Sequence, residues 1–304
     1  MRWLWVVTVF IFAQGKCAAE TYFQIPPPES RLSIHDAMNL YHSFEQFISR
    51  HRQGPPLPLP NIYVRCLERI LLDFPDERFL HRPKGLGLPE RVERGYARSW
   101  LFASYMAEGK WDDALTLMVQ HLFVHWVENL EMKSGLLYGF PVYPYPDPFQ
   151  GDPPRVVLKL AKEIKEMQEK GVKFSPLLFI NGWCVRTRWK GNDPDNALIS
   201  LNDLAYALGK EKWREIIQRD YKAWRFTLSI KGKTITFTAE SPKALVSGEE
   251  IPLRHKVESS FYDLYVPLSD LVKILGGTVR PPKPEELTVF QRHLPVSLLV
   301  VDLD

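Results

Sequence analysis

Cysteine is scarce in this chain, with three in 304 residues, and one of these, Cys17, falls within the first twenty. The other two, Cys66 and Cys184, could close at most one bridge, so a disulfide framework is excluded and whether the two pair stays open. The reading of the residues themselves is two isolated buried thiols. A surplus of charge is also lacking: 39 Lys and Arg are interspersed with 36 Asp and Glu for a formal net charge of +3. That balance is too weak and too mixed to point to a nucleic-acid partner. No glycine-rich phosphate loop occurs, since Gly85-Leu86-Gly87 lacks a third glycine and a preceding strand. No serine stands in a G-x-S-x-G elbow, and neither Cys66 nor Cys184 has the flanks of a thiol nucleophile. The apolar run from Trp3 to Ala13, broken only by Thr8, falls short of the roughly 20 residues of a membrane span.

That run follows Met1-Arg2 and precedes the small residues Cys17-Ala18-Ala19, the pattern of a secretory signal peptide over 1–19. A mature chain starting near Glu20, exported and without a membrane span after signal removal, is the expectation. With 45% apolar and 25% charged residues the remainder is an ordinary globular sequence, long enough for two domains.

Helical periodicity dominates the first half. Ser33 can cap a helix whose apolar positions are Ile34, Ala37, Met38, Tyr41, Phe44 and Ile48, ending before Gly54-Pro55-Pro56. A second helix is expected from Asn61 to about Phe74, a third from near Pro89, and a fourth from Trp111 after a stop at Gly109. The segment Tyr138 to Pro154 interleaves aromatics and prolines and reads as a stiff connector, with a sugar-stacking or peptide-docking ledge over Tyr138 to Phe149 as the alternative. A further helix runs from Pro154 to Lys170, with Val157, Leu160, Ile164 and Met167 on one face. A helical domain over 20–172 and a second domain over 173–304 follow from this division.

The second half carries one pattern twice. Leu245-Val246-Ser247-Gly248 repeats Phe179-Ile180-Asn181-Gly182 at an offset of 66, and Pro267-Leu268-Ser269-Asp270-Leu271 with Leu275-Gly276 repeats Ser200-Leu201-Asn202-Asp203-Leu204 with Leu208-Gly209 at 67. Each copy reads as a strand, a small-residue–Gly turn, a second strand and a short helix ending at Gly. Between them, Glu211 to Tyr221 reads as a charged helix with Trp213, Ile216 and Ile217 as its contacts, and Phe226 to Thr238 as a hairpin turning at Lys231-Gly232-Lys233. The apolar stretch Val296 to Val301 is a strand whose partner the sequence does not name. The fold class expected is α+β: an N-terminal helical bundle, then a duplicated module of antiparallel strands packed on short helices.

Leu228-Ser229-Ile230-Lys231-Gly232-Lys233-Thr234-Ile235, Ala244 to Leu253, Tyr265-Val266-Pro267-Leu268 and Leu275-Gly276-Gly277-Thr278-Val279, in that order and spacing, resemble the bacterial copper amine oxidase N-terminal-like, or stalk, domain family. Leu178 to Gly209 resembles a more diverged copy, so that the likeness covers roughly residues 174–280. The resemblance implies a compact antiparallel sheet curled around a helix in a secreted or surface protein. It carries over no catalytic residue. This chain departs from the family in having Ser269 where the arginine after Val-Pro-Leu usually stands, and Ile199-Ser200-Leu201 in place of the proline form.

For chemistry, the organised candidates are His121, His125 and Glu128, whose spacings of four and three place them on one side of the fourth helix. No Glu directly follows His121, and the helix is apolar nearly all round, so we read them as packed, hydrogen-bonded histidines. His35 and His42 fall on the polar face of the first helix. Asp203 to Gly209 has the look of a helix-turn-helix start, but the signal peptide and the lack of a basic recognition helix oppose it. The sequence as a whole reads as a secreted cell-envelope binding or assembly protein with no catalytic, metal or cofactor residues and an envelope protein or glycan as partner. The rival is an exported metal-dependent hydrolase built on the histidine helix.

Overall fold

The computed structural model describes residues 25–51, 56–74, 97–121, 155–191, 193–209, 212–287 and 289–303. The signal-peptide stretch, His125, Glu128, Gly85 to Gly87 and the segment Tyr138 to Pro154 lie outside the described residues.

Helix α1 (Ile34–Arg50) begins at a capping box in which the Ser33 hydroxyl accepts from the Asp36 N–H at 3.0 Å and the Asp36 carboxylate accepts from the Ser33 N–H at 3.1 Å. Its buried stripe is Ala37, Leu40, Tyr41, Phe44 and Phe47, rotated from the expected one. Ile34 and Met38 are exposed, because Leu40 and Phe47 meet α2 (Asn61–Asp73) instead. These helices and α3 (Ala97–Ala107) enclose Phe44, Leu67, Ile70 and Leu101, each contributing roughly 1.5–3 kcal/mol of burial. Gly109, at φ +74°, stops α3 and allows the turn into α4, helical over 111–121. Helix α5 (Arg155–Glu169) buries Leu160 and Ile164 on the expected face.

The remainder is strand-rich, and mixed α+β architecture holds for the chain. The strands are β1 (Leu177–Ile180), β2 (Trp183–Val185), β3 (Thr187–Trp189), β4 (Ala197–Ser200), β5 (Ile217–Asp220), β6 (Arg225–Ile230), β7 (Lys233–Thr238), β8 (Lys243–Val246), β9 (Glu249–Pro252), β10 (Glu258–Ser260), β11 (Asp263–Pro267), β12 (Thr278–Arg280) and β13 (Leu298–Asp302). Helices α6 (Leu201–Gly209), α7 (Trp213–Ile216), α8 (Leu268–Leu275) and α9 (Val289–His293) are interleaved among them.

Three sheets result, ordered β12-β13-β1-β2, β10-β11-β4-β3 and β5-β6-β7-β8-β9. Hairpins β1–β2, β6–β7 and β8–β9 turn at Asn181-Gly182, Lys231-Gly232 and Ser247-Gly248, all six residues at positive φ. Two left-handed residues in succession match the twist of the flanking strands, which is why Gly stands second each time. Three expectations are corrected. Residues 211–221 are not one helix: α7 lasts a single turn, and Ile217–Asp220 pairs antiparallel with β6, because Ile217 fills the sheet core opposite Leu228. The strands are not all antiparallel, since β13 runs parallel to β1 with Val300 opposite Phe179. The two helix stops also differ: Gly276 is a left-handed C-cap at φ +78°, whereas Gly209 is still helical, held by Ile216 and Trp213 beside it.

A central cluster joins the three sheets with α6 and α8, around Leu178, Leu204, Phe226, Phe237, Val266 and Leu268. Another packs Leu115 and Val119 of α4 and Leu160 and Ile164 of α5 on Phe179 and Cys184. Apolar packing is therefore continuous between the helices and the strands. No helix among the described residues is long and apolar enough to cross a membrane.

Candidate functional site

The densest polar chemistry gathers around Arg186, which follows β2 where the strands meet the helices. Its backbone N–H donates to Asp203 Oδ2 at 2.9 Å and its Nε to the same oxygen at 3.0 Å. Nη1 donates to Glu68 Oε2 at 2.9 Å, and Nη2 lies 3.6 Å from Asp263 Oδ2. Glu68 belongs to α2, and its second oxygen accepts from the Tyr105 hydroxyl of α3 at 2.7 Å. Gln120 of α4 completes the ring, donating to Asp203 Oδ2 at 3.0 Å and to the Cys184 carbonyl at 2.6 Å while accepting from Arg98 Nε at 3.2 Å.

Local structure explains why these carboxylates face inward. Ser200 ends β4 and caps α6, its hydroxyl accepting from the Asp203 N–H at 3.0 Å and donating to Asp263. Asp263 starts β11 and also accepts the backbone N–H groups of Asn202 at 3.2 Å and Leu264 at 2.8 Å. Burial opposes the Arg186 charge, but Asp203, Glu68, Tyr265 and Asp263 outweigh it and hold its pKa well above the ordinary value. Burial pushes Asp263 up to about 6 despite the pull of Arg186. The Tyr105 hydroxyl is pushed up by burial and by Glu68.

Beside this ring is a pocket of about 70 Å³ between α2, α3, the start of α4 and the β10–β11 turn. Arg188 lines it, with the guanidinium 4.0 Å from the Tyr265 ring centre and Nη1 donating to Glu258 Oε2 at 3.0 Å. Phe261 sits in the turn at φ +46°, an unusual conformation for a bulky residue, and packs against the helical cluster. Asp113, in the first turn of α4, lines the pocket, and burial lifts its carboxyl to about 6.

Of the residues singled out from sequence, Asp203 belongs to this ring and the histidines and thiols do not. His121 is half-buried near the end of the described part of α4. His35 and His42 are on the exposed face of α1, within 3.1 Å of Asn39 and 2.9 Å of Gln46. Cys66 and Cys184 are free, buried thiols in separate clusters, and desolvation raises both pKa values. Among the described residues, no group of three or more His, Cys, Asp or Glu is arranged to hold a metal ion. Arg186 was invisible to motif reading, although one signal was present: Arg254 follows it at 68 residues, as Asp270 follows Asp203 at 67. No family model, no curated protein and no solved structure matches this chain.

Proposed function

We propose that the chain is an exported, non-catalytic binding or assembly protein of the cell envelope, in which a helical bundle precedes a duplicated stalk-like module. One observation carries the duplication. Asp203 accepts the backbone N–H of Arg186 at 2.9 Å, and Asp270 accepts the backbone N–H of Arg254 at 2.7 Å. Each acid stands at the third position of its helix, and each arginine follows the second strand of a hairpin. The sheet pairings support the same reading: hairpins β3–β4 and β10–β11 join through β4 and β11, running antiparallel.

In the first copy the arginine–aspartate pair lies under α2 and α3, tying the helices to the strands; in the second it is at the surface, where Arg254 is 55% exposed. A repeated scaffold that spends its paired charges on its own backbone acts through the surfaces and pockets it holds in place. The partner expected is an envelope protein or glycan rather than nucleic acid, given the balanced charge.

Co-sedimentation of the chain without residues 1–19 with isolated cell-wall and membrane fractions tests the reading. Saturable binding to envelope material is the expected result. Absence of binding to every fraction, or a stoichiometric metal ion in the purified protein, overturns it.

A further inference from the structure

The charged groups lining the junction pocket are not equally engaged. Glu68 is held by Arg186 and Tyr105, and Asp263 by Ser200, Asn202 and Leu264. Asp113 accepts no hydrogen bond and makes no ion pair among the described residues, although it faces the pocket from the first turn of α4. Asp113 is half-buried, so solvent reaches its carboxylate and a ligand's donor can take that place. Arg188 commits only Nη1, to Glu258, and its Nε and Nη2 make no hydrogen bond among the described residues. Lys110, which also lines the pocket, pairs with Glu108, lies 5.1 Å from the Tyr105 ring centre and is 48% exposed.

Three acids, Glu68, Asp113 and Asp263, thus line the pocket against three bases, Lys110, Arg186 and Arg188. Asp113, an acceptor without a donor among the described residues, and Arg188, with Nε and Nη2 uncommitted, both line this pocket, so a ligand carrying both signs has a counterpart for each. Size narrows the class further. At roughly 10–15 Å³ for each enclosed water, about 70 Å³ holds on the order of five water-sized groups, the heavy-atom count of glycine or alanine.

We propose that this pocket binds a small α-amino acid as its zwitterion, the ammonium on Asp113 and the carboxylate toward Arg188 and Lys110. The electrostatics agree: burial and Glu68 raise the Asp113 carboxyl to about 6, Arg186, Arg188 and Lys110 oppose them, and a bound ammonium would add to the opposition. The ligand therefore takes the ionised acid, and affinity falls as pH drops below about 6. The assignment deepens the binding reading above and rests on it, yet the two fail separately, since envelope co-sedimentation does not require a free amino acid.

Calorimetric titration of the chain without residues 1–19, using glycine, alanine, ethylamine and acetate as separate probes, tests the proposal. Glycine or alanine should bind at neutral pH, with ethylamine and acetate each at least about tenfold weaker because each satisfies only one end of the site. Asp113→Asn should weaken binding by at least about tenfold while leaving the melting temperature no lower. Arg188→Gln should remove the advantage of the amino acid over ethylamine. Lack of binding by both amino acids, equal binding of acetate or ethylamine, or unchanged affinity in Asp113→Asn would overturn the assignment.

Discussion

Arg186 reaches Asp203 twice, through its backbone N–H at 2.9 Å and through Nε at 3.0 Å, and the matching Arg254 reaches Asp270 through its backbone at 2.7 Å but only to 4.0 Å through Nε. The two pairs share backbone geometry and differ in surroundings. Arg186 is 12% exposed and faces Glu68 and Asp263 as well, whereas Arg254 is 55% exposed and bonded to Asp195. Removing a buried arginine strands its acids without water, so Arg186→Met should cost about 3–5 kcal/mol. Arg254→Met should cost about 0–1 kcal/mol, as exposed pairs do. Urea denaturation of both variants checks the contrast, and equal losses would mean that the Arg186 ring does not hold the helices to the strands.

Stability should also depend on pH in a way set by Asp113 and Asp263. Both ionise at about 6 in the folded chain, above their ordinary value of 3.8. The folded state therefore binds more protons than the unfolded one between about 4 and 6, and these two acids lower stability as pH rises through that window. Glu286 runs the opposite way: its bonds with Arg280 hold it down to about 2, and that contribution is lost only as pH falls toward that value. Asp113→Asn keeps the side-chain shape and removes the ionisation. Its stability should match the wild type near about pH 4 and exceed it near about pH 7 in the absence of ligand. A difference that does not vary with pH would argue against the burial of this carboxyl.

Gly277 shows where a methyl group has nowhere to go. Its N–H closes the α8 terminus on the Val272 carbonyl at 2.9 Å, and a Cβ there would stand 2.3 Å from the Asp302 backbone oxygen and 2.7 Å from Leu303 Cδ2. Backbone cannot yield as a side chain can, so Gly277→Ala should cost about 1–3 kcal/mol by displacing the end of β13. At Gly209 the closest atom is Ile216 Cδ1, at 2.7 Å, the tip of a side chain that can turn aside. Gly209→Ala should therefore be the milder change in thermal denaturation, and the reverse order would contradict the packing of β13 against α8.

Much of the local structure was legible in the sequence because its causes are local. Ser33 with Asp36, Asn181-Gly182 and Ser247-Gly248 each dictate a turn or cap from within four residues. Trp213, Ile216 and Ile217 misled because one turn of helix followed by a strand leaves the same apolar spacing as a longer helix, and only pairing with β6 separates the two. The Arg186 ring was not legible as a site, since Glu68 lies 118 residues away and no spacing rule connects α2 to β2.

The strand β13 is the clearest case of structure fixed by distant partners, and it bears on which fragment can fold. It lies between β1 and β12, with Leu177 to Ile180 opposite Leu298 to Val301 on one side and Thr278 to Arg280 opposite Asp302 to Val300 on the other. A fragment over 174–282 would lack it, leaving β12 without its sheet neighbour and β1 with an open edge of unpaired backbone groups. Val301 would also leave the central cluster. A fragment over 174–304 retains the sheet but exposes the Arg186 ring once covered by α2 and α3, a loss that hydration of the freed charges partly offsets. Fluorescence-monitored urea titration should accordingly give a cooperative transition for the longer fragment and a broad, weak one for the shorter. Equal cooperativity in the two would mean that β13 adds nothing to the sheet it bridges, whereas failure of both would mean that α2 and α3 are part of the same folding unit.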